Sequence, residues 1–177
     1  MKGFVMLFCL LLSFSAIAAD DHSLSTIKGT AIDLKVYDHA IAGSVKDFVI
    51  FGNKEEETFT SELTMKKHGQ VIRATFGELS DGIGGTISHS DDGVLVSTEI
   101  RLKKIDSDLK QITMTAGGKD YVVQIASDDF QNDHFINPSY KTEIDGRTVE
   151  FKMEKGEACY GFSSHLIMMI LGAYLHN

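Results

Sequence analysis

From Thr58 to Met153 the chain alternates apolar and polar residues with a period of two, interrupted at short intervals by pairs containing Gly or Asp. That pattern predicts consecutive β-hairpins. Register tests it, because a slip of one residue moves every side chain to the opposite face. A turn at His68-Gly69 sets Met65 against Ile72, Leu63 against Ala74 and Ser61 against Phe76. Asp81-Gly82 then sets Phe76 against Ile87, and Asp92-Gly93 sets Ile87 against Thr98. A three-residue loop at Asp106-Ser107-Asp108 pairs Leu102 with Ile112 and Ile100 with Met114. Gly117-Gly118 pairs Met114 with Tyr121 and Ile112 with Val123, and Asp145-Gly146 pairs Thr142 with Val149 and Tyr140 with Phe151. Turns chosen from Gly and Asp chemistry thus all preserve one apolar face.

Two earlier segments, TAIDLKVYD and SVKDFVIFG, read as further strands, and SDDFQNDHFINP reads as the longest irregular connection. The predicted fold is all-β and mainly antiparallel, an up-and-down meander barrel or sandwich of about 8–10 strands, because a flat sheet of that size leaves long unpaired edges. Nearest-neighbour pairing favours the barrel, since sandwiches generally need crossing connections. The chain ends in SSHLIMMILGAYLHN, which predicts a short helix over about 163–176, capped by Ser163 or Ser164 and apolar on nearly every side. Its uninterrupted apolar part, Leu166 to Leu175, is about half the length a membrane crossing requires. Such a helix calls for burial against the sheet, or else for a partner or a second copy of the chain.

The amino terminus changes the compartment. Lys2, an apolar run from Phe4 to Leu12 and Ala-Ile-Ala at positions 16 to 18 form the pattern of a secretory signal peptide over residues 1–19. Residues 20–177 are then expected to be a single β-rich domain with its C-terminal helix, exported to the periplasm or outside the cell and without a transmembrane anchor. The absence of an Asn-x-Ser/Thr acceptor fits a bacterial route. Cys9 falls in the leader, which leaves Cys159 alone and the fold dependent on packing rather than disulfides. The formal charge of −8 becomes about −9 once Lys2 leaves with the signal, a balance that argues against nucleic acid.

Candidate chemistry is sparse. The register places His89 opposite Val96, Lys104 opposite Lys110 and Arg147 opposite Ile144, so His89, Lys104, Lys110 and Arg147 are expected as inward cations near the barrel rim. Together with Tyr121 and Phe151 they suit the head group and tail of a small amphipathic molecule lying among inward Leu63, Ile87, Val96, Ile112 and Val123. Leu166, Ile167, Met169 and Ile170 are the corresponding candidates for a protein partner or self-association. Cys159, Ser163, Ser164 and His165 are neighbours in sequence but lack an orienting carboxylate, so no catalytic residue is assigned. DGIGGT lacks the lysine of a phosphate loop, and Asp128, Asp129, Asp133 and His134 do not match calcium-loop spacing. No metal and no cofactor are expected. The reading is therefore an exported non-enzymatic binding protein, a carrier or sensor of an amphipathic or apolar ligand. Its alternative is a protein-interaction module such as an inhibitor, immunity or envelope-assembly factor, acting through the acidic surface or the helix.

Overall fold

The computed structural model describes residues 24–54, 61–67, 70–80, 82–91 and 94–176. The leader and the turns at His68-Gly69 and Asp92-Gly93 lie outside them, as do the side chains of Leu63 and Met65. The strands are β1 (Ser25–Gly29), β2 (Ile32–Val36), β3 (Ala40–Val45), β4 (Phe48–Lys54), β5 (Ser61–Lys67), β6 (Gln70–Leu79), β7 (Gly82–Asp91) and β8 (Val94–Asp106). They continue as β9 (Gln111–Ala116), β10 (Lys119–Ala126), β11 (Asp129–Gln131), β12 (His134–Ile136), β13 (Ser139–Ile144), β14 (Arg147–Glu154) and β15 (Glu157–Ala158), followed by helix α1 (Tyr160–Leu175). The fold is mostly antiparallel β with one C-terminal helix, as the alternation predicts.

Twelve of the described strands form one meander, in which each pairs with the next and β10 passes to β13. The ring closes where β1 pairs with β14, Ile27 opposite Met153 and Gly29 opposite Phe151. Closure satisfies the edge groups that an open meander would expose. It also creates a packing problem. Side chains alone fill a barrel of about eight strands, whereas one of sixteen or more encloses a channel.

Helix α1 resolves that problem by entering the ring. Its sixteen residues span about 24 Å at 1.5 Å per residue, and it touches β3, β5, β6, β7, β8 and β13, strands distributed around the barrel. Leu166 through Ala173 are all buried, so no side of this stretch faces solvent. They join Ile27, Leu34, Phe48, Ile72, Ile87, Ile100, Ile112, Val123 and Phe151 in a single core. The uniform apolarity that excludes a surface helix is what the barrel axis requires.

Several local expectations are corrected. SVKDFVIFG is two strand ends, because Lys46 adopts φ 53° and turns β3 into β4. The turn after β6 lies one residue earlier than Asp81-Gly82, so Phe76 faces Gly85 and Ile87 faces Ala74. Each large side chain thereby meets a small partner, and a Cβ on Gly85 would overlap the Thr75 carbonyl and the Phe76 ring. The two-residue change in register leaves the buried face intact. At the β8–β9 hairpin a bulge between Leu102 and Lys104 and a four-residue turn, 107–110, set Leu102 against Met114 and Ile105 against Ile112. SDDFQNDHFINP folds as well. β11 and β12 pair with each other and β12 with β15, which places Phe135 between Phe130 and Tyr160 at centroid distances of 4.8 and 4.9 Å.

Helix α1 starts four residues earlier than a Ser163 cap implies, with Cys159 as N-cap and its Sγ accepting from the Phe162 amide at 3.4 Å. The two serines instead satisfy the buried first turns. Ser163 Oγ and the Tyr140 hydroxyl share a hydrogen bond of 2.8 Å, and Ser164 Oγ donates to the Tyr160 carbonyl at 2.8 Å. Without these partners the hydroxyls would oppose burial of the helix.

Replacing core side chains should cost far more than breaking pairs on the wall. Ile170→Ala, which opens space between helix and strands, is expected to lower unfolding free energy by about 2–5 kcal/mol. Lys141→Ala removes the exposed 2.6 Å pair with Glu150 and should cost under about 1 kcal/mol. Urea denaturation of both variants measures the contrast.

Candidate functional site

The two barrel ends differ. One carries the two-residue turns between β1 and β2, β3 and β4, β9 and β10, and β13 and β14. The other carries the longer connections and the small β11–β12–β15 sheet. α1 starts at the second end, beside Phe135, and finishes at the first, where its last turn meets the strand tips.

At that finish, Tyr174 donates from its hydroxyl to the Thr30 carbonyl at 3.2 Å, and the Lys46 ammonium lies 4.9 Å from the centre of its ring. Two residues on, His176 caps the helix while its amide donates to the Gly172 carbonyl at 3.2 Å. Its Nδ1 is 3.2 Å from Nδ1 of His89, and the rings are nearly perpendicular, at 84°. His89 reaches this point because alternation along β7 turns it inward beside the end of the strand, opposite Val96. Burial, and then the neighbouring His89, hold the His176 imidazolium below its ordinary range. Its Nε2 is buried and finds no hydrogen-bond partner among the described residues.

The other proposed rim cations do not converge with this pair. The bulge in β8 carries Lys104 to a position opposite Thr113, exposed and bonded to Asp106 at 2.7 Å. Lys110 lies in the turn before β9 with φ 50°. Arg147 pairs with Ile144 in register but is exposed beside the Asp145-Gly146 turn. Tyr121 and Phe151 do point inward, yet both belong to the core that α1 completes. Phe151 stacks on Tyr140 at 4.8 Å rather than lining an open chamber. Leu166, Ile167, Met169 and Ile170 are buried inside the barrel, so the helix surface assigned to a partner is covered by the protein's own strands.

Cys159, Ser163, Ser164 and His165 also receive structural explanations. His165 directs Nδ1 to the Gly161 carbonyl at 2.9 Å, and Ser163 faces Tyr140. Burial pushes the Tyr140 phenol well above its ordinary range, which keeps it protonated rather than basic. Asp129 accepts from the Phe130 amide and the Gln131 amide side chain, while Asp128 accepts from Asn137. Among the described residues no group of three or more His, Cys, Asp and Glu is placed to share an ion.

The outer wall supplies the remaining candidate. Much of it is charged, with Lys28–Asp33 at 2.5 Å, Lys141–Glu150 at 2.6 Å and Lys103–Asp120 at 2.5 Å. A shallow depression across β10, β13, β14 and β1 includes Lys28, Lys141 and Lys152, but acidic partners already accompany all three lysines. β4 departs from this pattern. Val49 and Phe51 project outward at 62% and 58% exposure, opposite Ser44 and Ala42 on β3. Leu95 is also exposed, at the start of β8. The signal for the β4 patch lies in Phe48-Val49-Ile50-Phe51, whose four consecutive apolar residues break the alternation. In a one-sided sheet such a run must place apolar groups outside as well as inside.

Two outcomes check the site. Tyr140→Phe leaves the buried Ser163 hydroxyl without its partner and should lower stability by about 1–3 kcal/mol in urea unfolding. The lowered affinity of folded His176 for a proton means that the unfolded chain binds more protons as pH falls below about 6.5. Stability should therefore decline through that range down to the folded-state pKa, and His176→Asn should flatten the decline in parallel urea titrations. Compared with protein-family models, curated proteins and solved structures, the chain finds no match.

Proposed function

We propose that this is an exported, non-catalytic interaction module that binds another protein through the outside of its barrel. The observation carrying the reading is the occupied interior: α1 lies where a small-molecule carrier would hold its ligand. Recognition then falls to the exterior, and Val49 with Phe51 supplies an apolar site on a mostly charged wall. Such an exposed apolar patch suits a protein partner. β4 is bonded on both sides, to β3 and β5, so the contact is made by side chains rather than by addition of a strand. Charge on the outer face, including Lys28, Asp33, Lys141, Glu150 and Lys152, suits water better than the apolar band of a membrane-spanning barrel.

Native mass spectrometry of the mature protein from its own source, compared with a Val49→Lys/Phe51→Lys variant, tests this reading. The expected result is a stoichiometric protein partner on the native chain and its loss from the variant, with unchanged thermal unfolding. A lipid-sized adduct in place of a protein partner, or a partner retained by the variant, overturns it.

A further inference from the structure

We propose that His89 and His176 form a two-imidazole site for a borderline divalent cation, Zn2+ being the representative ion, at the end of the barrel where α1 finishes. Their Nδ1 atoms face each other at 3.2 Å. Two ring nitrogens at that separation require a proton or a cation between them. Two nitrogens each about 2.0–2.1 Å from a tetrahedral zinc stand about 3.3 Å apart, which agrees with the observed spacing. The nearly perpendicular rings keep the carbon edges of the two imidazoles apart while their nitrogens converge.

The site is held from two elements. β7 is bonded on both sides, to β6 and β8, and fixes His89. The helix end is fixed by the Tyr174 hydroxyl on Thr30 and by the His176 amide on Gly172. Both histidines are half-buried rather than enclosed, so water can complete the coordination. Imidazole donors suit zinc, nickel and copper, whereas an all-oxygen set would suit calcium or magnesium. Bound metal would tie the helix terminus directly to the barrel wall and stabilise the folded chain, by an amount that rises with the logarithm of its concentration above Kd.

The test titrates the metal-free mature protein with Co2+, a coloured substitute for zinc, and follows the imidazole proton signals by NMR. One equivalent is expected to bind, Zn2+ to displace it, and the His89 and His176 signals to shift while those of His39, His134 and His165 stay in place. His89→Asn and His176→Asn should each abolish binding, and His39→Asn, on an exposed loop, should preserve it. Absence of binding, persistence of binding in either variant, or shifts confined to other histidines overturns the proposal. The NMR measurement on the unsubstituted chain decides the matter even if a variant fails to fold.

Discussion

The controlling constraint is the width of a twelve-stranded ring. Closing the meander through β1 and β14 satisfies the sheet edges but produces an interior wider than strand side chains alone fill. A helix with its side chains is about 10–12 Å across, and α1 contributes apolar groups in every direction around its axis. Barrel and helix therefore depend on each other. Without α1 the inward Ile, Val and Phe residues would line a void, and without the ring α1 would expose an apolar surface on all sides.

Burying the helix demands that its few polar groups be satisfied within the protein. Ser163 meets Tyr140 across the helix–wall boundary, while Ser164 and His165 bond to carbonyls one turn back. The ends are secured differently. Phe135 and Tyr160 close over the helix start, whereas Tyr174 and His176 contact strand tips at its finish. The imidazole pair belongs to the second arrangement, since only a helix running the length of the barrel brings residue 176 to residue 89.

An occupied axis also redistributes function. Tyr121 and Phe151 place their apolar area in the core, and Leu166, Ile167, Met169 and Ile170 are enclosed. The accessible features include a wall of paired charges, apolar interruptions at Val49 and Phe51 and at Val94 and Leu95, and the histidine pair at one end. The proposed protein contact and the proposed cation site use separate parts of this surface, so each stands without the other.

Alternation and turn chemistry identify the antiparallel hairpins and inward Ile87, Ile112 and Val123, because period-two burial is a local property of strands, whereas Val96, expected inward with them, is 38% exposed near the start of β8. The Phe76 register differs by two residues without a change of face, while the β8 bulge moves Lys104 off the expected rim, because it adds an unpaired residue that hydropathy does not mark, and the longer 107–110 turn takes up Lys110. β1, β3 and the small sheet were missed because their strands are short or, in the case of β3, weakly apolar. Composition alone required α1 to be buried but was silent on where. Its position on the barrel axis, and with it the meeting of His89 and His176, depended on ring closure, a long-range pairing between β1 and β14 that no local pattern encodes.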